Sequence, residues 1–221
     1  MNMRTIAFVT QKGGSGKSTL ASSLAVTAME AGERVFIIDL DPQASLVKWS
    51  KMRGEADVPV EAVAPAKLGA ALATLAKNGV TLCIIDTAGA ESATANGAMK
   101  AADLCIIPSR PNVFDLWASE QTRKSLREMS KPFVFLLNQC PPAQQSARVD
   151  EGVKALEAMG GLISPLIASR VDYQEAARLG YGVSEVNPHG LAADEMRKLW
   201  ASIKKRMSKG AKVAAAPRKV A

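Results

Sequence analysis

The 221 residues predict an α/β fold: one domain with a mostly parallel, twisted sheet covered by helices on both faces. Short apolar runs recur along the chain, at Ile6 to Val9, Arg34 to Ile38, Val80 to Ile85, Asp103 to Pro108 and Pro132 to Asn138. The run Val-Thr-Leu-Cys-Ile-Ile at 80–85 is nearly continuously apolar, as a strand buried on both faces must be. Helix-forming stretches separate the runs, and parallel strands need such crossovers. Several runs close on a polar or acidic residue (Asp39, Asp86, Asn138), which collects chemistry at one sheet edge, where open parallel sheets bind ligands.

The first strand, Ile6 to Val9, enters Thr-Gln-Lys-Gly-Gly-Ser-Gly-Lys-Ser-Thr (residues 10–19), and Leu20 to Glu30 follows with helical spacing. A glycine-rich loop between strand and helix aims consecutive backbone N–H groups and the positive end of the helix dipole at one point, where a polyphosphate supplies acceptors. Gly13, Gly14 and Gly16 permit the close approach and positive φ that this needs, and Ser15 and Thr19 complete the cradle. In such a loop Lys17 reaches the β/γ-phosphates and the Ser18 hydroxyl ligates Mg²⁺. A polyphosphate with Mg²⁺ is therefore the expected ligand.

Gly32 ends the helix, and Arg34 to Ile38 runs into Asp39-Leu40-Asp41-Pro42-Gln43. These carboxylates either serve the ligand edge or cap the helix that begins near Gln43. Ala44 to Met52 is a short helix offering Leu46, Val47 and Trp49 for packing. Val58 to Val63 reads as a strand and Ala66 to Lys77 as a helix ending at Asn78-Gly79. Asp86 closes the 80–85 strand, where it would hold Mg²⁺ through water; Ala90 to Gly97, small and polar, suits a mobile switch. Phe114 to Met129 and Gln144 to Met159 are helices, and Gly160-Gly161 interrupts before Leu162 to Ile167. Asn138 either caps its strand end or meets the ligand. Leu191 to Met207 is a last helix, apolar at Leu191, Met196, Leu199, Trp200, Ile203 and Met207; from Ser208 the loss of periodicity predicts a disordered basic tail, 208–221, after a domain of 1–207.

Gln11 stands where the common phosphate-loop pattern has glycine, and a second lysine, Lys12, opens the loop. Lys-Gly-Gly-Ser-Gly-Lys-Ser is a deviant Walker A motif, and with Asp-Leu-Asp-Pro-Gln it resembles the ParA/MinD family of P-loop ATPases. Gln-Ala-Ser-Leu-Val-Lys-Trp-Ser resembles its small plasmid-partition branch, the ParF-like proteins. The resemblance spans roughly residues 3 to 207. It implies that Lys12 crosses an ATP-sandwiched homodimer to the partner's phosphates, that Asp41 orients the attacking water, that Asp39 supports the metal site and that Asn138 reads the adenine edge. It also implies that the Arg170 to Gly180 segment packs near nucleotide and dimer interface; Val186 to His189 follows as a loop placed to cover the adenine. Many members read Asp-x-Pro-Pro where this chain has Asp86-Thr87-Ala88-Gly89, closer to the ParF-like Asp-Gly-Ala-Gly.

Hydrophobic residues make up 48% of the chain, which excludes disorder, and the three cysteines, Cys83, Cys105 and Cys140, lack Cys-x-x-Cys spacing. No signal peptide or apolar run of membrane-spanning length is read. The net charge of +7 is uneven: residues 191–221 hold nine Lys/Arg against Asp194 and Glu195, while the remainder balances. A basic C-terminal face on a neutral body is either a solvated helix face with a solubilising tail or a contact for DNA phosphates without sequence readout. The DNA candidates are Arg197, Lys198, Lys204, Lys205, Arg206, Lys209 and Lys212.

The function that follows is a slow, partner-stimulated ATPase that dimerises on ATP, binds DNA and segregates plasmid or chromosomal DNA in the cytoplasm at the nucleoid. A separately encoded ParB-like adaptor is the expected partner. The P-loop strand begins near residue 4, so no helix-turn-helix extension and no operator-specific binding are expected. Positioning of a non-DNA cargo, such as a chemoreceptor array, a carboxysome or a conjugation complex, is the alternative. MinD-like membrane association would need more than Val213 and Val220 after Met207. An iron–sulfur reductase needs ligating cysteines in loops, and Cys83 and Cys105 read as strand residues. Tyr173 and Tyr181 make no tyrosine-rich tail for a kinase, and the lone His189, expected at the surface, builds no triad or metal cluster. A non-hydrolysing ATP-gated scaffold would keep every binding residue and differ only in turnover.

Overall fold

The computed structural model describes residues 3–90, 92–142 and 146–214, with side chains to residue 208. β1 (Arg4–Phe8) leads through the glycine-rich loop to α1 (Lys17–Glu30), and β2 (Val35–Asp39) leads to α2 (Ser45–Arg53). A short β3 (Val60–Ala62) and a 3₁₀ turn (Pro65–Lys67) precede α3 (Leu68–Lys77). β4 (Leu82–Asp86), α4 (Ala93–Ala101), β5 (Leu104–Ser109), α5 (Val113–Glu128), β6 (Phe133–Leu137) and α6 (Ala147–Met159) continue the alternation. Then come α7 (Val171–Leu179), a single turn α8 (Val183–Val186) and α9 (Leu191–Ala214).

The six strands form one sheet in the order β3-β2-β4-β1-β5-β6, and every pairing is parallel. From β1 the chain moves toward β2, and from β4 it crosses to β5 on the other side of β1. The reversal lies at β1 and β4, where a crevice opens beyond the strand ends. Alternation along the strands sends Ile6, Phe8, Ile37, Ile84, Ile106 and Leu136 into the layer with α1 and α9. Ala7, Val9, Ile38, Ile85, Ile107 and Leu137 face the opposite layer with α3, α4 and α6. Each fully buried Ile, Leu or Phe contributes on the order of 1.5–3 kcal/mol, so the sheet is held from both sides.

Two stretches, the end of α9 and the segment after Ala90, differ from the sequence expectation, and the sequence assigns no element to a third, 162–168. Residues 162–168 reach the sheet only through two isolated bridges, Phe135 to Leu162 and Cys140 to Ala168, because Pro165 has no N–H to donate to a ladder. α9 continues past Met207 to Ala214, since Lys and Ala are good helix formers and Gly210 alone does not stop it. The small, polar stretch after Ala90 is largely α4, started by Ser92, whose Oγ accepts the Ala95 N–H at 3.1 Å. Gln144 and Gln145, at the expected start of α6, and residues 215–221 of the expected tail lie outside the described residues.

Candidate nucleotide and metal site

β1, β2, β4, β5 and β6 all end on one edge, and the loops that leave it carry the predicted site. Gly14 and Gly16 adopt φ of 75° and 90°, the left-handed region in which glycine is favoured. α1 begins at Lys17 with no side-chain cap and no acidic residue in its first turn, so its leading N–H groups are left for an anion. Ser15 is fully buried and its Oγ has no hydrogen-bond partner.

Lys17 is buried, with Nζ donating to the Lys12 carbonyl at 3.4 Å. Burial pulls its ammonium below the usual lysine range, while Asp86 and Asp41 oppose that shift. Ser18 Oγ donates to Asp86 Oδ2 at 2.5 Å, and Asp86 Oδ1 is buried without a partner. Burial pushes the Asp86 carboxyl up to about 7; the Ser18 hydrogen bond and Lys17 lower it, and Asp39 and Asp41 raise it. The structure thus brings Lys17, Ser18 and Asp86 together, with Asp41 within electrostatic reach.

Asp39 faces Asp86 in direct register across β2 and β4, yet it does different work. Its oxygens accept the backbone N–H groups of Asp41 (3.0 Å), Leu46 (3.0 Å) and Val47 (3.3 Å). Of the two sequence readings, the helix cap describes Asp39: it anchors the start of α2 rather than meeting Ser18. Asp41 is half-buried and accepts the Gln43 N–H at 2.9 Å. Lys12 is half-buried at the loop entrance, and Gly13 and Gly14 beside it are exposed.

Asn138 is buried, and its Nδ2 donates to the Ser15 carbonyl at 2.8 Å. A Cβ on Gly16 would sit 2.5 Å from that nitrogen, so the amide packs directly against the loop. Next to it is a cleft of about 240 Å³ lined by Gly16, Thr19, Leu20, Asn138, Arg170 and Tyr173, among others. The Arg170 segment therefore does border the ligand edge; Glu195 binds both Arg170 (2.7 Å) and the Tyr173 hydroxyl (3.2 Å), which ties α7 to α9. Val186 to His189 does not line this cleft; Asn187 Nδ2 donates to Asp172 instead, and His189 is exposed.

Sequence reasoning missed three supports of the loop. Gly89 lies against the P-loop backbone: a Cβ there would meet Gly13 N and Cα at 2.7 Å. Thr87 Oγ1 donates to the Phe8 carbonyl at 2.9 Å, and Gln139, at φ 53°, donates Nε2 to the Gly14 carbonyl at 3.0 Å. Gly89 stands in the quoted Asp-Thr-Ala-Gly run, but nothing local reveals what it touches.

Lys204, on the basic face of α9, lies away from this site. Trp200 sits under the Arg4 guanidinium, 5.7 Å from its ring centroid, at the start of β1, the sheet edge opposite the P-loop. Lys204 stacks on the same ring at 5.3 Å, Lys198 pairs with Asp194 at 2.6 Å, and Arg197 donates to the Pro188 carbonyl. Lys205 and Arg206 are exposed, and Lys209 and Lys212 fall beyond the described side chains. Cys83, Cys105 and Cys140 are buried, and burial raises each thiol, to about 12, 12 and 11. Among the described residues no three His, Cys, Asp or Glu converge as metal ligands, and no helix is long and apolar enough to cross a membrane.

Residues 6–214 match the family model of the CobQ/CobB/MinD/ParA nucleotide binding domain. The chain belongs to the ParA/MinD family. It is 27% identical over 212 residues to the maintenance of carboxysome distribution protein A of Halothiobacillus neapolitanus, covering 88% of this chain and 94% of that one. It is also 27% identical over 190 residues to a protein ParA of Rhizobium radiobacter, covering 80% and 84%. Among solved structures, apo McdA of Cyanthece superposes with a TM-score of 0.76 over 92% of this chain and 98% of that one, at 16% identity, which speaks to the fold alone. Members of the ParA/MinD family are P-loop ATPases.

Proposed function

We propose that this ParA/MinD-family chain is a positioning ATPase that binds ATP–Mg²⁺ at the P-loop, dimerises around it and holds non-specific DNA as the dimer. Partner-stimulated hydrolysis resets it, and the output is segregation of plasmid or chromosomal DNA. The observation that supports this most is Asp86, a buried carboxylate with one oxygen on Ser18, the other unpartnered, and Lys17 close by.

That donor set fits Mg²⁺ held beside a polyphosphate: one hydroxyl, one carboxylate acting through water, and no all-protein cage. Ser18 and Asp86 are the residues that would hold the ion, which when bound supplies positive charge to the β- and γ-phosphate oxygens. The N–H groups of Gly13 to Thr19 bind the phosphates, and Lys17, already partly desolvated, adds an unscreened cation. Asp41 accepts a hydrogen bond from the attacking water and orients it, held in place by the Asp39 cap behind it. Asn138 keeps the loop in its binding shape and borders the base cleft. Lys12 sits at the exposed rim, where a second copy can bring its own phosphates into reach.

Lys204, over Trp200 and Arg4, lies at the sheet edge opposite the P-loop, so nucleotide does not gate DNA by touching that part of the basic face. Dimerisation gates it instead: two basic faces on one particle bind a polyanion with far greater avidity than one. A second reading, positioning of a protein compartment, is favoured by the relative named for carboxysome distribution, of which the chain covers 94%. Light scattering of the 23.3 kDa chain tests the core of the proposal. Doubling of mass with ATP–Mg²⁺ but not ADP is expected, and one mass in every nucleotide state contradicts it.

A further inference from the structure

Arg110 follows β5 on the same sheet edge as the P-loop. Its Nε and Nη2 donate to the two oxygens of Asp115, at 2.7 and 3.1 Å, and its backbone N–H also reaches Asp115 Oδ2 at 3.3 Å. Asp115 is 1% exposed, and its own N–H donates to Asn112 Oδ1 at 3.0 Å, so the acceptor is fixed at the start of α5. A two-point fork on a fixed carboxylate sets the plane of the guanidinium. The third nitrogen, Nη1, has no acceptor among the described residues. It lies beside the loop: a Cβ built on Gly14 would be 3.7 Å away. Gly14 and Gly13 are exposed, and a Cβ on Gly13 would meet nothing within 4 Å. A preoriented cation with an unused N–H₂ group therefore stands at the open rim of a phosphate-binding loop.

We propose that Arg110 is a further nucleotide-contact residue, whose Nη1 donates to the terminal phosphate of ATP held by the P-loop of the same chain, with Asp115 as its positioning residue. The proposal rests on the ATP reading above. A purely structural Arg110 would only neutralise the buried Asp115, a task that does not distinguish one nucleotide from another. Contact with the terminal phosphate does, because ADP lacks it.

Calorimetric titration of the full chain with ATP–Mg²⁺ and ADP–Mg²⁺ tests this. Arg110→Gln is expected to weaken ATP–Mg²⁺ by about tenfold or more while ADP–Mg²⁺ changes by less than about threefold, as loss of one charge-assisted hydrogen bond requires. An ATP-to-ADP affinity ratio equal to wild type overturns the proposal, even if the nucleotide-free protein melts at a lower temperature. Should Arg110→Gln not fold, Arg110→Lys keeps the charge beside Asp115 but cannot fork and extend at once. The same loss of ATP preference is expected there, and an unchanged ratio again overturns it. Failure of the wild type itself to bind ATP–Mg²⁺ would contradict the ATP reading rather than this contact.

Discussion

Ser18 Oγ lies 2.5 Å from Asp86 Oδ2, and the opposite oxygen of that carboxylate is buried without a partner. The two residues are 68 positions apart, on α1 and at the end of β4, and meet because β1 and β4 are parallel neighbours with Phe8 opposite Asp86. A buried carboxylate left half-satisfied costs stability in the nucleotide-free protein.

The Asp86 carboxyl, raised to about 7 from its ordinary 3.8, gives a pH signature. The folded state prefers the protonated form, so the associated stability is present below about pH 4 and lost as pH rises through 7. Asp86→Asn should therefore stabilise the nucleotide-free protein at pH 8, by about 4 kcal/mol at most, with the gain vanishing near pH 4. Melting temperatures of both proteins across that range check it. The same variant should lose the Mg²⁺ dependence of ATP binding.

Gly89→Ala should weaken ATP binding by about tenfold or more, because its Cβ would stand 2.7 Å from Gly13 N and must displace the phosphate loop. Gly89 is not among the positive-φ glycines, so the effect is steric rather than backbone strain. Titration with ATP–Mg²⁺ beside a melting curve separates the two sites of damage: affinity should fall more than stability.

Much of this site was legible in the sequence, and the reason is locality. Residues 12 to 19 carry their own geometry, since a strand, a glycine loop and a helix follow one another in the sequence as they do in the fold. The Asp39 and Asp86 strand ends were legible for the same reason, but their division of labour was not. Whether a carboxylate caps α2 or faces Ser18 depends on register across β2 and β4, which no short window contains. Gly89 on Gly13, Asn138 under Ser15, Gln139 on Gly14 and Arg110 beside it are long-range contacts of the same kind. The length of α9 was missed because apolar periodicity ends before the helix does.

Asn138 is a strut as well as a cleft wall. Asn138→Asp would set a carboxylate against the Ser15 carbonyl that now accepts from Nδ2 at 2.8 Å. A destabilisation of about 1–3 kcal/mol and a comparable loss of ATP affinity are expected, read by denaturant unfolding and titration. Unchanged values would mean that the loop holds its shape without this bond.

Lys12→Ala should leave ATP bound by the monomer and abolish the ATP dimer, which light scattering resolves. Asp41→Ala should lower turnover by about 10²-fold or more while nucleotide still binds, so the dimer persists after ATP is added. Full turnover in that variant would assign the water to another group.

The most direct test of ATP-gated DNA contact is binding of the full chain to non-specific duplex DNA, with no nucleotide, with ADP and with ATP–Mg²⁺, at two salt concentrations. The expected result is binding only with ATP–Mg²⁺ that collapses at the higher salt, with the slope reduced by about one for each of Lys205→Ala and Arg206→Ala. Equal binding in all three states, or none in any, would contradict the account and separate the basic face of α9 from the nucleotide switch.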